Sequence, residues 1–377
     1  MISVPFNKAD IRAVDREYIR QAIDGGNTAG NGPFSKKVEN LIELAIGCRR
    51  TLLTTSCTHA LEMAALLLRL EPGDEVIVPA FTFVTSASAF MLHGARPVFV
   101  DVRSDTLNID PDQVAAAITP RTRAICVVHY GGVGAEMELL LSLAAKHGLI
   151  IIEDNAHGLF GKYNGQYLGS FGALATQSFH ETKNITCGEG GALIINDESL
   201  VERAEILREK GTDRSKFLRG QVDKYTWVDV GSSWVLSDIL AAILLGQLER
   251  REEIYQLRMA IYKRYDLELG AWATANNVHT PVVPKECEHT AHMFHLRFEK
   301  GTHRDRFIAH LAEHKVNAVF HYQPLHLSSV GKQLGGVKGQ FPITEHAGDC
   351  LVRLPLFSMM TNDQQAQVIN AVVSFSP

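Results

Sequence analysis

A lysine and an aspartate in this chain are of the types that hold an aldehyde cofactor. Lys183 lies in a polar segment that ends in the glycine-rich turn 188–191, and Asp154 follows the apolar run 149–152. A lysine amine can form a Schiff base with an aldehyde, and a carboxylate can keep a pyridine nitrogen protonated. This pair predicts pyridoxal phosphate (PLP) chemistry. Taken singly, Lys183 could instead be a solvated loop residue, and Asp154 a helix N-cap or a structural ion-pair partner.

Other side chains could complete such a site. Residues 54–60 carry hydroxyl groups at the start of a predicted helix, where backbone N–H groups can bind phosphate. Ser178 could add a hydroxyl from the lysine segment. Phe83 follows a predicted strand and could stack on a flat ring, and His157 could stack or donate a hydrogen bond beside it. The alternatives are simple N-capping, core packing of the phenylalanine and a buried structural histidine.

Two polar runs are candidates for binding a substrate. Residues 208–224 contain basic side chains interrupted by acids, and part of this run would attract a phosphate-bearing molecule. Most of these side chains could otherwise be solvated surface. Residues 321–326 add polar groups in the C-terminal part of the chain. The candidates for substrate contacts are Lys210, Arg214, Arg219, His321, Tyr322 and His326.

The composition is that of an ordinary globular protein with room for two domains. The chain has 377 residues, 46% of them hydrophobic, and a formal net charge of −5, which argues against a general nucleic-acid binder. Its six cysteines form no CxxC pair and no Cys/His cluster, so we expect reduced thiols and no metal site. No apolar signal core and no run near the ~20 residues of a membrane span are present. We expect a cytoplasmic protein.

Strand and helix patterns alternate from about residue 50 onward. Continuous apolar runs at 51–54, 75–78, 97–100, 124–128 and 149–152 alternate with helical stretches, which predicts a mostly parallel, doubly wound α/β sheet. Ligands bind beyond the carboxyl ends of the strands in such sheets.

The pattern changes beyond a long predicted helix. Further strands are predicted at 175–179 and 192–195, and a long helix over 237–269, capped by Ser237 and Asp238 and stopped by Gly270. Strands at 292–298 and 316–322 with helices at 304–314 and 362–374 then predict a smaller α+β unit. The expected domains are residues 1–250, a large cofactor-binding domain with an N-terminal arm, and residues 251–377.

Several segments together resemble the DegT/DnrJ/StrS family of PLP-dependent sugar aminotransferases, on the aspartate aminotransferase-like fold (fold type I). The resemblance covers almost the whole chain. The segments that carry it are 79–84, 153–158, 178–191, 231–238 and 353–357. Within the family, the runs 209–214 and 219–227 look most like members that act on C4 of a dTDP-linked sugar.

The resemblance implies a role for each candidate. Lys183 would hold the cofactor and move the proton, and Asp154 would pair with the pyridine nitrogen. Phe83 would stack on the ring with His157 beside it. Ser233 stands where many members place an asparagine that reaches the phosphate of the neighbouring subunit. The phosphate of the same subunit would be bound by Cys57, Thr58, the backbone of His59, and Ser178.

The implied reaction is transfer of an amino group from L-glutamate to a nucleotide-linked ketosugar in a homodimer with its sites near the interface. The closest resemblance implies dTDP-4-keto-6-deoxy-D-glucose as the acceptor and cell-surface polysaccharide synthesis as the setting. Alternatives are amination at C3, a sugar dehydratase and a non-catalytic binding module. Related dehydratases carry a histidine at the position of Lys183, which argues against deoxygenation.

Overall fold

Alternating strands and helices make up most of the chain in the computed structural model, which describes residues 3–377. In chain order the strands are β1 (Arg50–Thr54), β2 (Glu75–Pro79), β3 (Arg96–Val100), β4 (Thr122–Val128), β5 (Ile150–Asp154), β6 (Lys162–Tyr163), β7 (Gln166–Tyr167), β8 (Leu174–Ser178), β9 (Gly191–Ile195), β10 (Cys287–Glu288), β11 (Phe294–Arg297), β12 (Val319–Phe320) and β13 (Leu351–Leu354).

The helices surround these strands. They are α1 (Ala13–Asp24), α2 (Pro33–Ile46), α3 (Cys57–Leu67), α4 (Thr85–Met91), α5 (Pro111–Ala117), α6 (Met137–His147), α7 (Val201–Arg208), α8 (Arg214–Leu218), α9 (Asp238–Glu249), α10 (Arg251–Ala275), α11 (Gly301–Glu313), α12 (Ser329–Gln333), α13 (Pro342–Cys350) and α14 (Asn362–Val373). No helix among residues 3–377 is long and apolar enough to cross a membrane.

The central sheet has seven strands in the order β1-β9-β8-β5-β4-β2-β3. Pairing is parallel from β8 through β5, β4 and β2 to β3, and β9 alone runs antiparallel to its neighbours β8 and β1. The prediction of a mostly parallel α/β sheet is therefore confirmed. The carboxyl ends of six of these strands, together with the start of β9, lie along one edge of the sheet.

Both faces of the sheet are covered, as the continuous apolar strands require. Ile152 packs with α3 and α4 in one core cluster, whereas Ile151 packs with α6 on the opposite face. Leu52 and Leu53 divide in the same way, and Leu53 contacts the cluster that contains α2 and α9. Alternate strand residues point to opposite faces, so two helical layers fix the sheet and the edge that carries the polar residues.

The helix predicted over 237–269 is two helices in the structure. Ser237 caps α9 as predicted, with its hydroxyl accepting from the N–H of Ile239. The chain then breaks at Arg250, and α10 continues through Gly270 to Ala275. Gly270 does not end the helix because Leu269 and Ala273 are buried in the C-terminal core, which offsets the cost of about 1 kcal/mol for a mid-helix glycine.

The C-terminal part forms a three-stranded antiparallel sheet in the order β11-β13-β12, packed with α10, α11 and α14. The strand predicted over 316–322 is limited to Val319–Phe320 because Val316 pairs instead with Val4 of the N-terminal segment. Val4 is fully buried in the same C-terminal core. The break at Arg250 falls at the expected domain boundary, and the division at 250 stays a prediction.

Candidate active site

A cavity of about 370 Å³ lies at the carboxyl edge of the central sheet, where the C-terminal unit covers it. The sequence-predicted residues that line it come from strand ends, from the lysine segment and from the C-terminal unit. They are Cys57, Thr58, Phe83, Asp154, His157, Ser178, Lys183, His321 and Tyr322. The sheet topology accounts for this grouping, because β2, β5 and β8 and the start of α3 meet at one edge.

Lys183 lies in the loop between β8 and β9 and is partly buried against the cavity. Its backbone N–H donates to the carbonyl of His180 (2.9 Å), which forms a turn after β8. Burial lowers the pKa of Lys183 to about 8, with Arg353 acting in the same direction and Asp154 in the opposite one. Near neutral pH a far larger fraction of this amine is therefore neutral, and nucleophilic, than of an exposed lysine.

Asp154 is the last residue of β5 and is only 5% exposed. Its Oδ2 accepts a hydrogen bond of 2.6 Å from the hydroxyl of Ser86, and its Oδ1 accepts from the N–H of Ala156 (3.3 Å). The hydroxyl of Thr82 lies 2.9 Å from that of Ser86 and extends the chain. These contacts fix the orientation of a buried carboxylate that would otherwise be costly to desolvate.

The start of α3 provides a cradle for an anion. Ser56 caps this helix by accepting from the N–H of His59 (3.2 Å), and the first-turn residues Cys57 and Thr58 line the cavity. Gly191 lies so close that a Cβ built on it would be 2.4 Å from the nitrogen of Cys57. His59 does not line the cavity and its N–H is committed to the cap, so its predicted backbone contact with phosphate stays a prediction.

Two stacked histidines form one wall of the cavity. The rings of His157 and His292 lie 4.2 Å apart at 18°, and burial lowers both pKa values well below 6.5, so both rings are neutral at neutral pH. The N–H of Gly131 donates to Nδ1 of His157 (3.3 Å), which places the proton of that ring on Nε2. His157 lines the cavity, and its ring can therefore donate a hydrogen bond only through Nε2.

His292 has the opposite tautomer. The amide nitrogen of Asn184 donates to the carbonyl of Thr290 (2.8 Å), so the amide oxygen faces Nδ1 of His292 (2.9 Å). We therefore assign the proton of His292 to Nδ1 and leave Nε2 as an acceptor. Asn184 follows Lys183 directly, so this contact also fixes the lysine loop. Sequence reasoning missed both residues, since no local pattern links positions 184 and 292.

Arg353, on β13, is a third residue that the role assignments missed. It lines the cavity, and its Nε is buried without a hydrogen-bond partner among residues 3–377. Burial lowers its pKa, while the phenol groups of Tyr130 and Tyr322 act in the opposite direction. A desolvated guanidinium open to a cavity is suited to bind a carboxylate in two parallel hydrogen bonds.

Aromatic side chains close the other side. Phe83 is 54% exposed although it lines the cavity, and its ring centroid lies 6.2 Å from that of Tyr322. An apolar ring left open in this way is available to stack on a flat ligand. His321 is held by a contact of 2.9 Å between its Nδ1 and the hydroxyl of Tyr130.

Other predicted residues lie outside this cavity. His326 is fully buried with Nε2 3.0 Å from Glu345. Ser233 is exposed and bridges Glu209 in a short antiparallel pair. Two arginines of the basic run are paired with acids: Arg214 with Glu209 (3.1 Å) and Arg219 with Glu205 of α7 (2.7 Å). Lys210 is exposed, with its N–H bonded to Ser232. These predicted substrate and cross-subunit contacts stay predictions.

The site contains a lysine of lowered pKa beside a fixed carboxylate, at the carboxyl edge of an α/β sheet. This arrangement defines an enzyme that works through a Schiff base. Comparison with known proteins identifies the family to which the chain belongs. The model of the DegT/DnrJ/EryC1/StrS aminotransferase family matches residues 9–373. The chain belongs to this family and is a PLP-dependent aminotransferase of fold type I.

The relatives agree in length as well as in fold. The spore coat polysaccharide biosynthesis protein SpsC of Bacillus subtilis is 31% identical over 98% of this chain and 96% of its own. Spr1654 of Streptococcus pneumoniae, a candidate sugar aminotransferase, superposes in its PMP form with a TM-score of 0.91 and 28% identity over 99% of each chain. DesV of S. venezuelae gives a TM-score of 0.90 and 31% identity over 98% of each chain.

The residues present in the cavity fit PLP. Lys183 would hold the aldehyde and Asp154 the pyridine nitrogen. The start of α3, approached closely by Gly191, would take the phosphate, and Nε2 of His157 has the donor character that a phenolic oxygen requires. When bound, PLP supplies an electron sink that stabilises negative charge on the carbon of an attached amino acid.

Proposed function

We propose that this enzyme transfers an amino group from L-glutamate to a nucleotide-linked keto-deoxy sugar. The particular reaction that we propose converts dTDP-4-keto-6-deoxy-D-glucose to dTDP-4-amino-4,6-dideoxy-D-galactose. The observation that carries this proposal is the Lys183 amine, with its pKa lowered to about 8, in one cavity with the carboxylate of Asp154.

Each side chain has a defined task in this reaction. The neutral amine of Lys183 takes the proton from the α-carbon of the amino donor, and after the exchange of substrates it returns a proton to the carbon that receives nitrogen. General acid–base catalysis of this kind contributes about 10²- to 10⁴-fold. Asp154, fixed by Ser86, would keep the pyridine nitrogen of the cofactor protonated. Arg353 binds the α-carboxylate of glutamate and orients its α-carbon toward Lys183.

The choice of a sugar acceptor is supported by the relatives and by the lining of the cavity. SpsC is named for polysaccharide synthesis, and Spr1654 is a candidate sugar aminotransferase. The neutral rings of His292 and His321 and the phenol of Tyr322 offer hydrogen bonds of both kinds without a net charge. A polyhydroxylated ring that carries no charge of its own suits such a wall.

We also propose a homodimer in which residues 217–230 contact a second copy. This segment exposes apolar side chains that a solitary chain would leave in water. They are Phe217, Leu218, Tyr225, Trp227, Val228 and Val230, each at least 41% exposed. Ser233 follows this segment and the basic run overlaps it, so the second copy would bring them near the cavity of its partner.

The proposal is tested by incubating the purified holoenzyme with L-glutamate and nucleotide ketosugars that carry the carbonyl at C3 or C4, and identifying each product by NMR. We expect an amino sugar from the dTDP-4-keto substrate, loss of turnover in Lys183→Ala and full activity in Lys285→Ala, whose side chain is 92% exposed. Substantial amination by Lys183→Ala would refute the assignment. A 3-amino product would show that the acceptor is a 3-ketosugar, and a deoxy product would show that the reaction is a dehydration.

A further inference from the structure

The N-terminal segment crosses from the C-terminal unit to the lysine loop. Val4 pairs with Val316 in a parallel bridge, and its N–H donates to the carbonyl of Lys315 (3.1 Å). Three residues later the amide of Asn7 donates to the carbonyl of Glu181 (2.8 Å), two positions before Lys183. Both ends of residues 4–7 are thus fixed, and Phe6 is placed between them beside the cavity.

Phe6 contacts the one cavity-lining guanidinium of residues 3–377. The guanidinium carbon of Arg353 lies over the Phe6 ring, 4.6 Å from its centroid. Phe6 and Asn7 also line a small gap with Thr182, His292 and Arg353, so the ring lies behind the wall of the cavity. A cation over an aromatic face is attracted by the negative face of the ring, and the attraction grows when both groups are desolvated.

No other described group near Arg353 fixes the orientation of its guanidinium, so the contact with the Phe6 ring can set it. Its Nε has no hydrogen-bond partner among the described residues, and the neighbouring His157 and His292 are neutral. A carboxylate partner would fix the guanidinium but would also neutralise it and compete with an incoming acid. An aromatic face holds the group in place and leaves its N–H donors free for a ligand.

We infer that Phe6 is a positioning residue that aims Arg353 at the α-carboxylate of the amino donor, an inference that rests on the carboxylate-binding role proposed for Arg353. Residues 4–7 thereby link the N-terminus to selection of the donor. The effect is specific to the acid, because the ketosugar has no carboxylate to place on Arg353.

The test measures the two half-reactions of the holoenzyme separately by the change in cofactor absorbance. In Phe6→Leu we expect the apparent Kd for glutamate to rise about three- to tenfold. The Kd for maleate, an unreactive dicarboxylate followed by calorimetry, should rise by the same factor. The Kd for the ketosugar should stay within about twofold. Phe6→Tyr keeps the aromatic face and should behave as the parent enzyme.

A matched control removes a cation–π contact elsewhere. Tyr167 lies 5.2 Å from the ammonium of Lys162 and does not line this cavity, so Tyr167→Leu should leave both Kd values unchanged. Equal losses for glutamate and ketosugar in Phe6→Leu, or no loss for glutamate, would overturn the inference. Arg353→Lys tests the role of Arg353 itself, and an unchanged glutamate Kd in that variant would remove this role. The identity of the sugar acceptor does not affect this test, because the glutamate half-reaction proceeds without the sugar.

Discussion

Ser86 on α4 donates a hydrogen bond of 2.6 Å to Oδ2 of Asp154 at the end of β5. The contact joins two segments that are distant in the sequence, and both groups are buried. A carboxylate that must stay ionised and correctly turned toward a pyridine nitrogen depends on such a partner, because its own strand fixes only its position.

Replacing Ser86 by alanine tests this dependence. We expect Ser86→Ala to raise the Kd for PLP and lower kcat by about tenfold, in line with the loss of one hydrogen bond to a charged group. Asp154→Asn should cost more, since it removes the charge itself. Ser88→Ala on the same helix, where the hydroxyl is only partly buried, is the control. Cofactor titration and steady-state rates that stay at parental values in Ser86→Ala would contradict this role.

The pKa of Lys183 predicts how the apo-protein reacts with amine reagents. Because only the neutral amine attacks, modification of Lys183 should be half-maximal near pH 8, well below the range for exposed lysines. Arg353 lowers this pKa and Asp154 raises it, so Arg353→Ala should move the midpoint to higher pH and Asp154→Asn to lower pH. Peptide mapping by mass spectrometry after timed labelling gives the profile. A midpoint near that of the exposed Lys285 would show that burial does not act on the amine.

Glu153, beside Asp154, has a structural task. Its carboxylate accepts from the N–H groups of Gly169 (2.7 Å), Phe171 (2.8 Å) and Gly172 (2.7 Å), and lies 2.9 Å from Nε2 of the buried His129. Nδ1 of His129 accepts from the N–H of Ala135, so its Nε2 is the donor to Glu153.

We expect Glu153→Gln to lower the free energy of unfolding by about 2–4 kcal/mol. The neutral amide accepts fewer hydrogen bonds, and its NH2 group would face the N–H groups that the carboxylate accepts from. Urea denaturation followed by circular dichroism measures the change. Glu313→Gln, at an exposed position of α11, should change it by less than about 0.5 kcal/mol. Equal stability of the two variants would mean that the loops of residues 129–135 and 169–172 are held by other contacts.

Two glycine substitutions should have contrasting effects, one weakening PLP binding and the other stabilising the fold. A methyl group at Gly191 would meet the backbone of Ser56 at 2.3 Å, whereas one at Gly270 meets nothing within 4 Å. Gly191→Ala should therefore displace the start of α3 and weaken binding of PLP by more than about tenfold. Gly270→Ala should raise the free energy of unfolding by about 0.5–1 kcal/mol, since it lies inside α10. Calorimetric binding and thermal unfolding of both proteins provide the measurements, and a stable, fully binding Gly191→Ala would contradict the first part.

The sequence alone determined the sheet and the part of the cavity that the sheet carries. Apolar runs marked β2, β4 and β5 within a few residues, and parallel strands bring their carboxyl ends to one edge, so Asp154, Phe83 and Lys183 could be grouped before any coordinates. The residue types of Lys183 and Asp154 predicted the cofactor, and family resemblance then supplied the reaction and the role of each residue. Helix breaks were less accessible: α9 and α10 share one helical pattern, and only their packing separates them at Arg250.

The tertiary structure alone decided which distant side chains complete the site. Arg353 and His292 line the cavity from distant parts of the chain, Ser86 supports Asp154 from α4, and no spacing along the chain encodes that meeting. The same packing places His326 in contact with Glu345 and not in the cavity. Periodicity records which face of an element is buried, whereas the partner of each polar group is fixed only when the two units pack together.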